Sequence, residues 1–97
     1  MEYMFYEAGM NANEWSDIGL LKVYSRSITQ LFNECKNAKV ELNLYSNPYN
    51  YSDVFRDASI KAGSGIIVNY SNDTTNIDRI ISTKSDESYV VKGNIID

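Results

Sequence analysis

Apolar side chains recur at helical spacing along residues 16–37 (SDIGLLKVYSRSITQLFNECKN). Ile18, Leu21, Ile28, Phe32 and Cys35 form a stripe that Tyr24 and Leu31 widen, while Asp17, Lys22, Arg26, Asn33, Glu34 and Lys36 fall mostly on the opposite side. The pattern predicts a long amphipathic helix, with Ser16 as N-cap, Asp17 complementing the helix dipole and Trp15 stapled onto Leu20. Gly19 works against it, at about 1 kcal/mol relative to alanine. The same residues admit a rival reading. In it, 19–24 (GLLKVY) is a strand and a helix starts later under the capping box Ser27-Ile28-Thr29-Gln30. The continuity of the stripe favours the long helix.

Elsewhere the period shortens to two. Val40, Leu42 and Leu44 alternate with Glu41, Asn43 and Tyr45, which predicts a half-buried strand over 40–45. Residues 65–70 (GIIVNY), 77–83 (IDRIIST) and 89–92 (YVVK) read as further strands, with 94–97 as an extension of the last. The aromatic stretch 2–7 (EYMFYE) reads as another, with Tyr3 and Phe5 on one face and Met4 and Tyr6 on the other. Polar or glycine-containing stretches at 8–13, 46–52, 71–76 and 84–88 read as loops, and the sole proline, Pro48, lies in the second. A short helix is expected from Ser52 or Asp53 through Ala62, with Val54, Phe55 and Ala58 inward and Gly63 in the left-handed position after its last turn. No internal repeat or linker stands out. The expected fold is α+β: one long amphipathic helix and a short second helix on a mixed or antiparallel sheet of about five strands, in the order strand, helix, strand, helix, then three strands.

A chain of 97 residues suits a single compact domain over 1–97. Its 43% hydrophobic and 23% charged content supports a packed core. No apolar run approaches the roughly 20 residues needed to span a bilayer, and the N-terminus lacks the basic and apolar regions of a secretory signal; a cytoplasmic location is the expectation. The net charge of −4, without a Lys/Arg cluster, argues against direct binding to a nucleic-acid backbone. The carboxylates are too scattered for a convincing mimic of DNA.

Histidine is absent, which removes Ser-His and Cys-His nucleophilic machinery and the commonest zinc ligand. The single Cys35 admits no intramolecular disulfide and reads as a small buried hydrophobe. Asp53 and Asp57 lie four apart and Asp86-Glu87 is an acidic pair, but such charges ordinarily face water. The sequence Glu34-Cys35-Lys36 has the Glu-x-Lys spacing of a nuclease core without the strand that core requires. The glycine cluster 62–65 (AGSG) runs from a predicted helix into a strand, the reverse of a phosphate-binding loop. No cofactor, metal or catalytic residue is therefore assigned.

What remains is surface chemistry. Tyr45, Tyr49 and Tyr51 lie among Ser and Asn in one loop, a mixture suited to protein recognition. Asp73, Asp78, Asp86 and Glu87 are the acidic candidates for meeting a basic partner. The expected function is a small acidic non-enzymatic protein-binding module that inhibits another protein. Its size and its Asn-, Ile-, Tyr-, Ser- and Lys-rich composition are of the kind found among phage and mobile-element anti-defence products, anti-CRISPR proteins and nuclease inhibitors included. The expected partner is a protein, for instance a nucleic-acid-handling effector of a host defence system. The alternatives are an obligate structural subunit or homodimer, and a carboxylate-based metal-dependent nuclease.

Overall fold

The computed structural model describes residues 16–96. The strand expected at 2–7, the loop at 8–13 and the staple from Trp15 lie outside them. The elements are β1 (Ser16–Val23), β2 (Ala38–Leu44), β3 (Gly65–Tyr70), the five-residue helix α1 (Ile77–Ile81) and β4 (Val90–Ile95). All neighbouring strands pair in parallel, in the order β1-β2-β3-β4. Successive strands stack as the rungs of a short solenoid, each joined to the next by a loop that returns across the far side of the core. Hydrogen-bonded positions in adjacent rungs are 21, 26 and 25 residues apart.

This arrangement overturns the α+β expectation. No long helix lies over 16–37, no short helix over 53–62, no strand over 77–83, and no pair of named strands is antiparallel. The rival strand reading of 19–24 coincides with most of β1, but turns rather than a helix follow it. Gly19 explains the choice. Its φ of +80° lies at a register shift between Asp17 and Gly19, a bulge that glycine permits and a helix interior does not. Beyond it Val23 is buried and Leu21 packs on the core, while Leu20 and Lys22 face outward.

In β2 the inward residues Ala38, Val40, Leu42 and Leu44 are all buried; β3 contributes Ile66 and Val68 and β4 contributes Val90. Register places Leu21, Leu42 and Val68 side by side. Such apolar rows bury area with each added rung, at about 25 cal/mol per Å².

The returns explain the helical spacing. Leu31 N–H donates to Ile28 O at 3.1 Å and Cys35 N–H to Phe32 O at 2.9 Å, closing two consecutive turns. Each turn points its first and last residues into the core. Ile28, Leu31, Phe32 and Cys35 are thus buried at the spacing of a helical face without a helix. The next return repeats the pattern, with Ala58 N–H donating to Phe55 O at 3.0 Å and Tyr51, Val54, Phe55 and Ala58 turned to the core. The amides of Ile28, Gln30, Phe32 and Glu34 donate to the carbonyls of Asn50, Ser52, Val54 and Arg56 at 2.8–2.9 Å, so the two returns form a second ladder. Phe32 stacks on Phe55 between them, centroids 6.2 Å apart. In the third return, side chains replace backbone. Thr83 and Ser85 hydroxyls accept from the amides of Phe55 and Asp57, and α1 supplies buried Ile77 and Ile80.

Candidate functional site

Tyr24 and Tyr45 are the first residues past β1 and β2, and Tyr45 N–H donates to Val23 O at 2.8 Å. Rung stacking therefore lays one ring on the other, with centroids 5.0 Å apart and planes inclined by 12°. Arg26, Ser46, Asn47, Tyr49 and Asp73 complete an open cleft of about 550 Å³.

The frame of this cleft is braced through its polar loop residues. Ser46 Oγ donates to Ser25 O at 2.7 Å, and Ser46 O accepts from Thr74 Oγ1 at 2.7 Å. The Asn47 amide is engaged at both ends, donating to Thr75 Oγ1 at 2.8 Å and accepting from Asn76 N–H at 3.0 Å. Buried Pro48 receives Asn76 Nδ2 on its carbonyl, while Tyr49 N–H donates to Arg26 O at 2.9 Å. Asp73 is fixed through its amide, which donates to Ser71 Oγ at 3.0 Å. The hydroxyls of Tyr24, Tyr45 and Tyr49, the Arg26 guanidinium and the Asp73 carboxylate have no partner among the described residues. Tyr24 is 67% exposed and Tyr49 64%.

Of the seven residues singled out from the sequence, Tyr45, Tyr49 and Asp73 meet here. Tyr51 does not: it is half-buried and packs against the core, as a structural lid would. Asp78 pairs with Lys92 at 3.1 Å on the surface next to β4. Asp86 and Glu87 stand exposed in the turn before β4. Sequence reading passed over Tyr24 and Arg26 because the helix expectation absorbed both. The signal was present in the paired motifs Leu21-Lys-Val23-Tyr24-Ser25 and Leu42-Asn-Leu44-Tyr45-Ser46, which stack as neighbouring rungs. Of the other tyrosines placed on predicted strands, Tyr70 packs on the core, Tyr89 is exposed, and Tyr3 and Tyr6 lie outside the described residues.

A second surface lies on the outer face of the sheet. Leu20, Glu41, Ile67 and Val91 are cross-strand neighbours, and the three apolar members are 53%, 47% and 55% exposed. With Tyr89 they line a groove of about 520 Å³. Parallel sheets are ordinarily covered on both faces, so an open apolar row is unusual. Burial pushes the Cys35 thiol up to about 11, which makes it a poor nucleophile. Among the described residues no group of three acidic or cysteine side chains converges, and no helix is long and apolar enough to cross a membrane. Comparison with protein-family models, curated proteins and solved structures finds no match to this chain.

Proposed function

We propose that the protein is a non-enzymatic protein-binding module that inhibits the protein it docks on, with the tyrosine cleft as its contact surface. The observation that carries this reading is the convergence of Tyr24, Tyr45, Tyr49, Arg26 and Asp73 on a frame whose Ser and Asn side chains are already committed. Tyr and Arg are enriched at binding hot spots, Tyr because it supplies large contact area at low entropic cost and Arg because it supplies directed hydrogen bonds. A braced frame reduces the ordering that binding must offset. A basic or amphipathic partner surface suits the net charge of −4.

The test is affinity capture followed by binding and activity assays on the captured protein. Tyr24→Ala and Tyr49→Ala should each cost about 2 kcal/mol or more of binding with an unchanged circular dichroism spectrum. Asp86→Asn and Glu87→Gln should bind normally. Full affinity in both tyrosine variants would remove the cleft from the interface. The uncovered row Leu20, Ile67 and Val91 favours a second reading, an obligate homodimer joined through its sheet faces. Light scattering decides it: a dimer that Ile67→Glu converts to monomer supports this reading, and a wild-type monomer rejects it.

A further inference from the structure

We propose that Asn76, which lies outside the tyrosine cleft in the loop that leads into α1, is a positioning residue for it: Asn76 sets the binding geometry of Tyr49 by fixing the peptide unit that carries it. This rests on the protein-binding reading and adds to it a residue that acts without touching the partner. Tyr49 is 64% exposed, so burial does not hold its ring. Its place depends on the Pro48–Tyr49 peptide unit, and that unit is pinned at both ends. Tyr49 N–H donates to Arg26 O at 2.9 Å, and Pro48 O accepts from Asn76 Nδ2 at 3.0 Å. The Asn76 N–H donates in addition to Asn47 Oδ1 at 3.0 Å. A planar peptide held through both its oxygen and its hydrogen has little freedom to rock about the chain, so Tyr49 leaves it in one direction.

What Asn76 forgoes points the same way. It stands at the N-cap of α1, where asparagine is favoured because its side-chain oxygen accepts from an amide of the first turn. Among the described residues that bond is not made. The backbone takes φ −88° and ψ 10°, and the side-chain amide reaches 28 residues back to the cleft loop instead. A local preference set aside for a contact with a distant loop marks a functional position. The helix is closed without that side chain: Ile80 N–H donates to Asn76 O at 2.9 Å and Ser82 N–H to Asp78 O at 3.0 Å.

Amide hydrogen exchange on the full chain separates this role from that of a helix cap. Asn76→Asp keeps the shape and the backbone bonds and removes the Nδ2 donor; Asn76→Ser is the second variant, too short to reach Pro48. In both, exchange at Tyr49 should accelerate several-fold while Ile80 and Ser82 keep wild-type protection. Affinity for the protein captured by the wild-type chain should fall several-fold at a temperature where circular dichroism shows each variant folded. Ile80→Val, which loosens the core beneath α1, should lower the melting temperature and leave that affinity unchanged. Unchanged exchange at Tyr49, or acceleration at Ile80 and Ser82 equal to that at Tyr49, overturns the proposal. So does wild-type affinity in both Asn76 variants. If Tyr24→Ala and Tyr49→Ala lose the captured protein in that case, the cleft stands as the contact surface without this positioning residue; if they retain it, both readings fall.

Discussion

A Cβ added at Gly93 would collide with Asn69 Oδ1 and lie 2.9 Å from Ile67 Cγ2. The space is taken because Asn69 bridges three rungs: its Nδ2 donates to Asn43 Oδ1 at 2.8 Å, and its Oδ1 accepts from Asn94 N–H at 3.0 Å. The amide thus replaces a ladder bond where the β3–β4 register shifts. Gly93→Ala should cost about 1–3 kcal/mol in urea unfolding, because neither the buried amide nor the strand can yield freely. A second residue-scale effect is left-handed backbone without glycine. Glu34 has a φ of +58° and, among the described residues, only its backbone is engaged, so Glu34→Gly should gain about 0.5–1 kcal/mol, relieved strain outweighing the added freedom of the unfolded chain. Cys35 supplies a pH dependence. Its thiol rises from 9.0 to about 11 on burial, so the fold holds a proton that the unfolded chain releases. The corresponding stability is complete below pH 9 and lost as pH climbs toward 11. Thermal melts should therefore show a steeper fall across that window in the wild type than in Cys35→Ala.

At the scale of the element, β2, β3 and part of β4 were legible, while β1, α1 and the returns were not. Alternation over 40–45 and the β-branched run 65–70 fall on β2 and β3, since a strand buried on one face must write its period into the chain. Consecutive turns wrote a different period. Pairs of inward residues at the ends of four-residue turns reproduce the i, i+3, i+4, i+7 spacing of a helix, at 28–35 and again at 51–58. Glycine or asparagine at the left-handed positions would have betrayed those turns. Instead Gln30, Glu34, Asp53 and Asp57 occupy them. Stacking between returns overrides local preference, because each return satisfies its amides on the next. The internal repeat escaped notice for the same reason: rung spacing varies, and α1 replaces turns in the third return. Among the described residues the outermost strands are β1, which has a bulge at Gly19 and carries Lys22, and β4, which carries Lys92, features that discourage pairing with other chains.

For the whole molecule, the decisive property is that the described strands pair in sequence order, each beside the next, so equivalent residues form columns. One column is the phenylalanine pair in the core, another the asparagine ladder, and a third the tyrosine stack. Part of the candidate site could be read from the sequence through the tyrosine-rich loop at 45–51. Its other half, Tyr24 and Arg26, follows from stacking alone, and the same stacking turns Tyr51 inward. The acidic candidates Asp78, Asp86 and Glu87 are left on other surfaces, with the exposed Asp78–Lys92 pair contributing little to stability.

The most direct measurement is an isotope-resolved amide NMR titration of the chain with its captured partner. Shifts should concentrate at Tyr24, Arg26, Tyr45, Tyr49 and Asp73, with small ones at Leu20, Ile67, Val91, Asp86 and Glu87. Shifts centred on the outer sheet face or on the Asp86-Glu87 turn, with the cleft undisturbed, would contradict the cleft as the contact surface.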